Sequence, residues 1–392
     1  MAHRPLSRNV LLKLSYNGST YHGFSYQPGL PTVEWHIFNA LFMSKLLPNR
    51  EGEDGRSEDR RSEDGSRCNG SYNDSCNGKY DSCSATHNGN PHTDQNHPPA
   101  KYTARPKSTP THPQAVSSGP YAFTKDALAL ISSARYSKCG RTDAGVSASS
   151  QFVSLFLLAS RPDASGYPYD LILNTFLPDN IRILGWMFVE ESFSARFSCT
   201  SREYEYYFVR GALDIEKMQE ASQLLIGTHW FGRLSKPEKE ESKKKRLEKS
   251  QSAALCANSP EESVRTVDTI SFTKQKTFPD LEIEIFVMKI KARSFLHNQV
   301  RKIFSLLQMV GAGSPVSVKS VLNKSEKQKT DILLASPFFL VLSSCTFKDT
   351  DLHQLRTTPD KRNTRHKILE NVLLHSEVSS RIATEPRNPS SP

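Results

Sequence analysis

Between Leu281 and Ala292, Leu281, Ile283 and Ile285 alternate with Glu282 and Glu284, a period of two that predicts a strand with one apolar face. Phe295–Val310 has a different rhythm. Leu296, Val300, Ile303, Leu307 and Val310 fall on one side of a helix, with Gly311 expected as its cap. The same two rhythms predict strands over Asn9–Tyr16, Gln151–Leu158, Ile181–Val189, Glu203–Val209, Val264–Phe272 and Phe338–Phe347. They predict helices over Val33–Leu47, entered through Pro31 and Thr32, and over Thr124–Ser133, Asp170–Phe176, Asp214–Ile226 and Val316–Leu322. Strands and helices come in mixed order without βαβ repetition, which predicts an α+β fold with helices on one face of a sheet.

Two stretches break the pattern. From Glu51 to Gly119 the chain is polar, with SED repeated in SEDRRSEDGSR, and cannot bury enough apolar surface to offset the entropy of folding. It is expected to be a disordered insertion inside a domain. The second runs from 235 to 262 and is rich in charge, with Lys243, Lys244 and Lys245 in a row. The expected organisation is therefore an N-terminal half over 9–190, a C-terminal half over 191–350, and a polar tail over 351–392.

Hydrophobic residues make up 36% of the 392, and the shortfall lies in the polar stretches, so the remainder can build a core. The net charge of +10 favours a polyanionic partner, nucleic acid before acidic membrane. No apolar run approaches a bilayer-spanning length, and no signal-peptide core follows the N-terminus, although Arg4 and Arg8 leave a very short organellar presequence open. Seven cysteines without CxxC spacing indicate neither a zinc site nor a disulfide framework, and suggest a reducing compartment, cytoplasm or nucleus.

The densest segment chemically is YSKCGRTDAGVSASSQFVSLFL, Tyr136–Leu158, in which Gly140 and Gly145 permit tight turns around Asp143 before a strongly apolar strand. Arg141 beside it favours the ionised acid. On the residues alone this is an ordinary Gly/Asp turn carrying an exposed ion pair.

The word RTDAGV in that segment resembles the catalytic loop of the TruA family of tRNA pseudouridine synthases. The resemblance continues in order through SYNGSTYHGFSYQPGLPTVEWHIFNAL, FLPDNIRILGW with FSARFSCTSREYEYYF, KARSFLHNQVRKIFSLLQMVGAG and PFFLVLSSCTF, over about 340 residues. FSARFSC, CGRTD and GVSA look most like the eukaryotic branch that acts at positions 38 and 39 of the anticodon stem-loop. The resemblance implies two ferredoxin-like halves joined in one mixed sheet around a basic cleft. It implies conversion of uridine to pseudouridine in tRNA, with no cofactor and no metal, by a possible homodimer. It makes Asp143 catalytic, and gives Tyr204, Arg301 and Arg141 substrate-side roles, Arg301 as partner of the catalytic carboxylate. Tyr206 is expected in the core and His297 to be structural.

Three departures keep alternatives open. Trp230, in Thr228–Arg233, stands where relatives carry an acid, and Asn17 where many carry Asp; Ala144 instead of a lysine keeps bacterial-branch specificity, positions 38 to 40, in play. A non-catalytic tRNA-binding or tRNA-folding protein on the same scaffold is the alternative from outside enzymology, and a basic protein that recruits partners through its disordered segments is another.

Overall fold

The computed structural model describes residues 6–48, 120–159, 166–237, 263–279, 283–326 and 330–357, together with 370 and 374. The expected insertion over 51–119, residues 238–262 of the second insertion and most of the tail lie outside the described residues.

Nine strands form one open mixed sheet. They are β1 (Leu6–Tyr16), β2 (Ser137–Lys138), β3 (Ser147–Ala159), β4 (Ile181–Phe188), β5 (Cys199–Val209), β6 (Gly227–Trp230), β7 (Val264–Phe278), β8 (Ile283–Ala292) and β9 (Leu340–Phe347). The order is β4-β1-β3-β9-β5-β8-β7-β6, with β2 paired to β3 off this path. Every pairing is antiparallel except one: β3 and β9 run parallel through Ser147–Val341 and Ala148–Leu342. Among the described residues the α-helices given bounds are α1 (Val33–Ser44), α2 (Lys125–Ser133), α3 (Tyr169–Asn174), α4 (Ile215–Gln223), α5 (Gln299–Gly311) and α6 (Val318–Leu322). The α+β fold with a mixed sheet is the one expected.

Side-chain caps set the helix starts. Thr32, Thr124, Asp214 and Ser317 each accept a backbone N–H from the first turn, supplying a partner that the opening turn of a helix lacks. The apolar faces of α1, α2, α4 and α5 feed one large core through Ile37, Leu41, Ile131, Met218, Ile303, Phe304 and Leu307. A small second cluster, Tyr207, Ile283, Ile285, Val287 and Val341, covers the other face of β5, β8 and β9. Neighbouring β8 residues Met288 and Ile290 belong to the large core, so the centre of that strand is apolar on both faces.

The last long helix begins later than the hydrophobic rhythm suggests. Phe295 and Leu296 lie ahead of a turn at His297 and Asn298, Asn298 takes the left-handed conformation at φ 65°, and the helix opens at Gln299. Gly311 is its last residue, not its cap; the left-handed glycine is Gly313, at φ 81°. At the edge strand β4, Trp186 and Arg356 exchange two backbone hydrogen bonds, of 3.0 and 2.7 Å, and the Arg356 guanidinium lies 4.9 Å from the Trp186 ring centre.

Between Gly140 and Val146 the chain is held by its neighbours' backbones. Phe24 N–H donates to Thr142 O at 3.1 Å, and Gly145 N–H to Tyr21 O at 3.2 Å. Gly18 lies so close that a Cβ there would overlap the carbonyl of Val146. The obstacle is backbone, which cannot swing aside. Gly18→Ala should therefore displace the 140–146 loop and destabilise the fold by roughly 1–3 kcal/mol. Denaturant melts check this, and an unchanged midpoint would show that the loop has slack.

Candidate active site at the sheet joint

The loop Gly140–Val146 enters β3 where β3 meets β9, so Asp143 sits beside the joint between the two antiparallel sets of strands. Four further contacts fix the loop. The buried Gln151 amide accepts the Gly140 N–H and donates to the Gly140 carbonyl, both at 3.1 Å, acting as a strand partner would. The Tyr16 hydroxyl and Thr142 Oγ1 share a hydrogen bond of 2.8 Å inside the core. Arg202 on β5 forks to three carbonyls: Cys139 at 3.1 and 2.6 Å, Arg196 at 3.3 Å, and Arg293. Lys138 pairs with the buried Glu34 of α1 at 2.6 Å.

A cleft of about 1440 Å³ opens over this loop. Its walls carry Arg135, Lys138, Arg141, Arg196, Arg202, Arg293 and Arg301, and Asp143 is the single acid among the lining residues. The Asp143 side chain is 28% exposed, and its Oδ1 lies 3.4 Å from His297 Nε2. Burial pushes its carboxyl above the ordinary value of 3.8, while His297, Arg301 and Lys236 pull it back.

All four expected site residues line this cleft. Tyr204 is nearly buried on β5, its ring edge-on to Phe295 at 5.4 Å, and its hydroxyl makes no hydrogen bond to a described residue. Burial holds the phenol well above its ordinary value, so it keeps its proton. Arg301 on α5 is anchored by donation to Ala335 O at 2.6 Å and reaches Asp143 by charge at a distance, not as the direct partner expected. Arg141 is exposed at the rim. Tyr206 lies in the core, stacked on Phe304 with ring centres 4.0 Å apart, its hydroxyl donating to Ser336 O.

His297, expected to be structural, faces the acid, on the turn where Asn298 takes the left-handed conformation before α5 begins. Phe197 is a second residue that sequence reasoning passed over. It lines the cleft, is 76% exposed, and has the Arg196 guanidinium 5.1 Å from its ring centre. The one available signal was an arginine–phenylalanine pair just ahead of a strand. The departure at Thr228–Arg233 falls elsewhere: β6 is an edge strand, and none of its residues lines the cleft. The cysteines that look scattered along the chain are also corrected, since Cys139, Cys199 and Cys345 meet in space.

Residues 221–348 match the family described as tRNA pseudouridine synthase. The tRNA pseudouridine(38/39) synthase of Mus musculus is 35% identical over 234 residues, 55% of this chain and 46% of that protein. The tRNA pseudouridine synthase A of Pseudoalteromonas atlantica is 30% identical over 233 residues, 54% of this chain and 76% of the bacterial protein. That of Methanosarcina acetivorans is 31% identical over 251 residues, 62% of this chain and 81% of the archaeal protein. The chain belongs to the tRNA pseudouridine synthase family. It spans about half the length of the mammalian relatives it matches, and most of the length of these two microbial synthases. Membership accounts for the α+β fold and its single open sheet.

Asp143 is a carboxylate that this synthase scaffold holds against its own preference. Its folded value lies above the unfolded one, so its contribution to stability is fully present below 3.8 and is lost as pH rises through the folded value. Asp143→Asn should melt at or above the parent temperature at neutral pH, with the difference shrinking toward about pH 4. Thermal melts at the two pH values test this; a variant that melts lower at neutral pH would show that the charge stabilises the loop.

Proposed function

We propose that the protein converts uridine to pseudouridine in tRNA, with Asp143 as the group that acts on the target nucleoside. The observation that carries this reading is a single half-buried carboxylate in a cleft whose other charged walls are all cationic. The cations suit a polyanion and the acid does not, so the acid is there for chemistry.

The reaction breaks the N1–C1′ bond of uridine, turns the freed uracil and joins its C5 to C1′, with nothing consumed. The target must leave its stack to reach a carboxylate at the cleft floor. Asp143 can act there by attack on C1′ or by removing a sugar proton, and both roles require the ionised form. Tyr204 presents an apolar ring and a protonated hydroxyl beside the acid, which suits contact with a detached base. Arg301 contributes charge that favours the ionised carboxylate, against the burial that opposes it. His297, in contact with Asp143, is placed to exchange a proton with it.

The relatives named for positions 38 and 39 support the anticodon stem-loop as the region modified. Mapping pseudouridines in tRNA incubated with the purified protein tests both the reaction and the position. Asp143→Asn should lower single-turnover pseudouridine formation by about three orders of magnitude or more, ~4 kcal/mol in the barrier, with tRNA affinity kept. Activity within tenfold of the parent would remove Asp143 from the chemistry.

Phe197 supplies an exposed ring on this cationic wall, as a stacking surface for an unpaired base does. Phe197→Ala should weaken tRNA binding by roughly 1–3 kcal/mol without changing its salt dependence. Arg196→Ala should instead reduce the salt slope by about 1. Identical salt slopes for the two variants would show that Arg196 makes no phosphate contact, and an unchanged affinity for Phe197→Ala would remove the stacking role.

A further inference from the structure

Every cysteine among the described residues goes to one place. Cys139 lies four residues before Asp143, Cys199 opens β5 and Cys345 sits in β9. Each is 3% exposed, and their sulfur atoms all lie within 4.8 Å of one another. Buried thiols pack as small hydrophobes, and one such residue needs no further account. Three drawn from separate segments onto one point, beside a guanidinium, do. Arg202 reaches the Cys139 carbonyl through two nitrogens, and its charge acts on all three thiols.

We propose that Cys139, Cys199 and Cys345 bind one thiophilic divalent cation of the zinc class as a trithiolate. Three thiolates carry −3; a divalent cation and the Arg202 guanidinium together carry +3, so the occupied cluster is neutral. Binding releases the three thiol protons to solvent and transfers no electrons. Tetrahedral zinc with Zn–S bonds of ~2.3 Å sets sulfurs roughly 3.8 Å apart, within about 1 Å of the spacing seen. No further His, Cys or carboxylate joins the three among the described residues. Cys139 and Cys199 line the cleft, so the fourth position opens onto it and is available to water or to a substrate atom. The cation ties the loop bearing Asp143 to β5 and β9, the strands across the joint.

The test uses the whole protein, purified under reducing conditions, and does not depend on its activity. Metal content is measured by mass spectrometry, and chelator-treated protein is titrated with Zn²⁺ and Co²⁺. The expected result is one cation per chain, with a thiolate-to-cobalt charge-transfer band. It should persist when Cys68, Cys76, Cys83 and Cys256 are all changed to Ser, and affinity should fall at least about 100-fold in Cys345→Ser. Should Cys345→Ser not fold, alkylation of the folded parent decides: Zn²⁺ should slow modification of Cys139 and Cys199. No bound cation with alkylation unaffected by Zn²⁺ would overturn the proposal. So would a disulfide between two of the three in the purified protein, or full affinity in folded Cys345→Ser.

Discussion

The two residue pairs Ser147–Val341 and Ala148–Leu342 set the register of β3 against β9, and they are the only parallel pairs among the described strands; Ser149 Oγ donating to Ser343 O and the Phe152–Phe347 ring contact continue the joint. Everything at the site is placed by that joint. The loop bearing Asp143 ends where β3 enters it, Tyr204 stands on β5 one strand beyond β9, and α5 brings Arg301 after β8. Parallel pairing cannot be made by a tight hairpin, so the strands on either side come from distant parts of the chain. A site at such a seam draws groups from both antiparallel sets, which neither could assemble alone.

The loop at the seam is where two opposed effects meet. It places a carboxylate where burial raises the acid's affinity for a proton, while His297, Arg301 and Lys236, from other segments, lower it. Burial wins on balance. The restraint comes from uncharged contacts, such as the Gln151 amide and the Tyr16–Thr142 hydrogen bond, which position the backbone without neutralising the acid. Arg202 spends its donors on carbonyls and not on Asp143.

Strands and helices with long apolar rhythms were legible in the sequence, because burial on one face leaves a period that survives local detail. The two-residue β2 and the four-residue β6 were not, since neither is long enough to show a period. The start of α5 was misread because Phe295 and Leu296 continue the apolar spacing ahead of the turn at His297 and Asn298. Asp143, Tyr204, Arg301 and Arg141 were legible through a resemblance, and their presence in one cleft is a fact of the fold. His297 and Phe197 were hidden for a physical reason: what marks them is exposure to a particular space, and exposure has no period. The cysteine cluster was hidden likewise, since Cys139, Cys199 and Cys345 share no spacing in the chain.

The backbone pairing of Trp186 with Arg356 has a bearing on how copies of this protein behave in a crowded solution. β4 is an outermost strand, and an outermost strand offers unpaired N–H and C=O groups to any extended chain that arrives. Here the chain returns past β9 to occupy part of that border, with a guanidinium laid over the Trp186 ring. At the opposite border, β6 is four residues long and covers β7 only through Val264–Val267. The first border is thus guarded in part by the chain's own later residues. The segment around Arg356, far from any chemistry, helps keep the folded protein from adding strands of its neighbours to its own sheet.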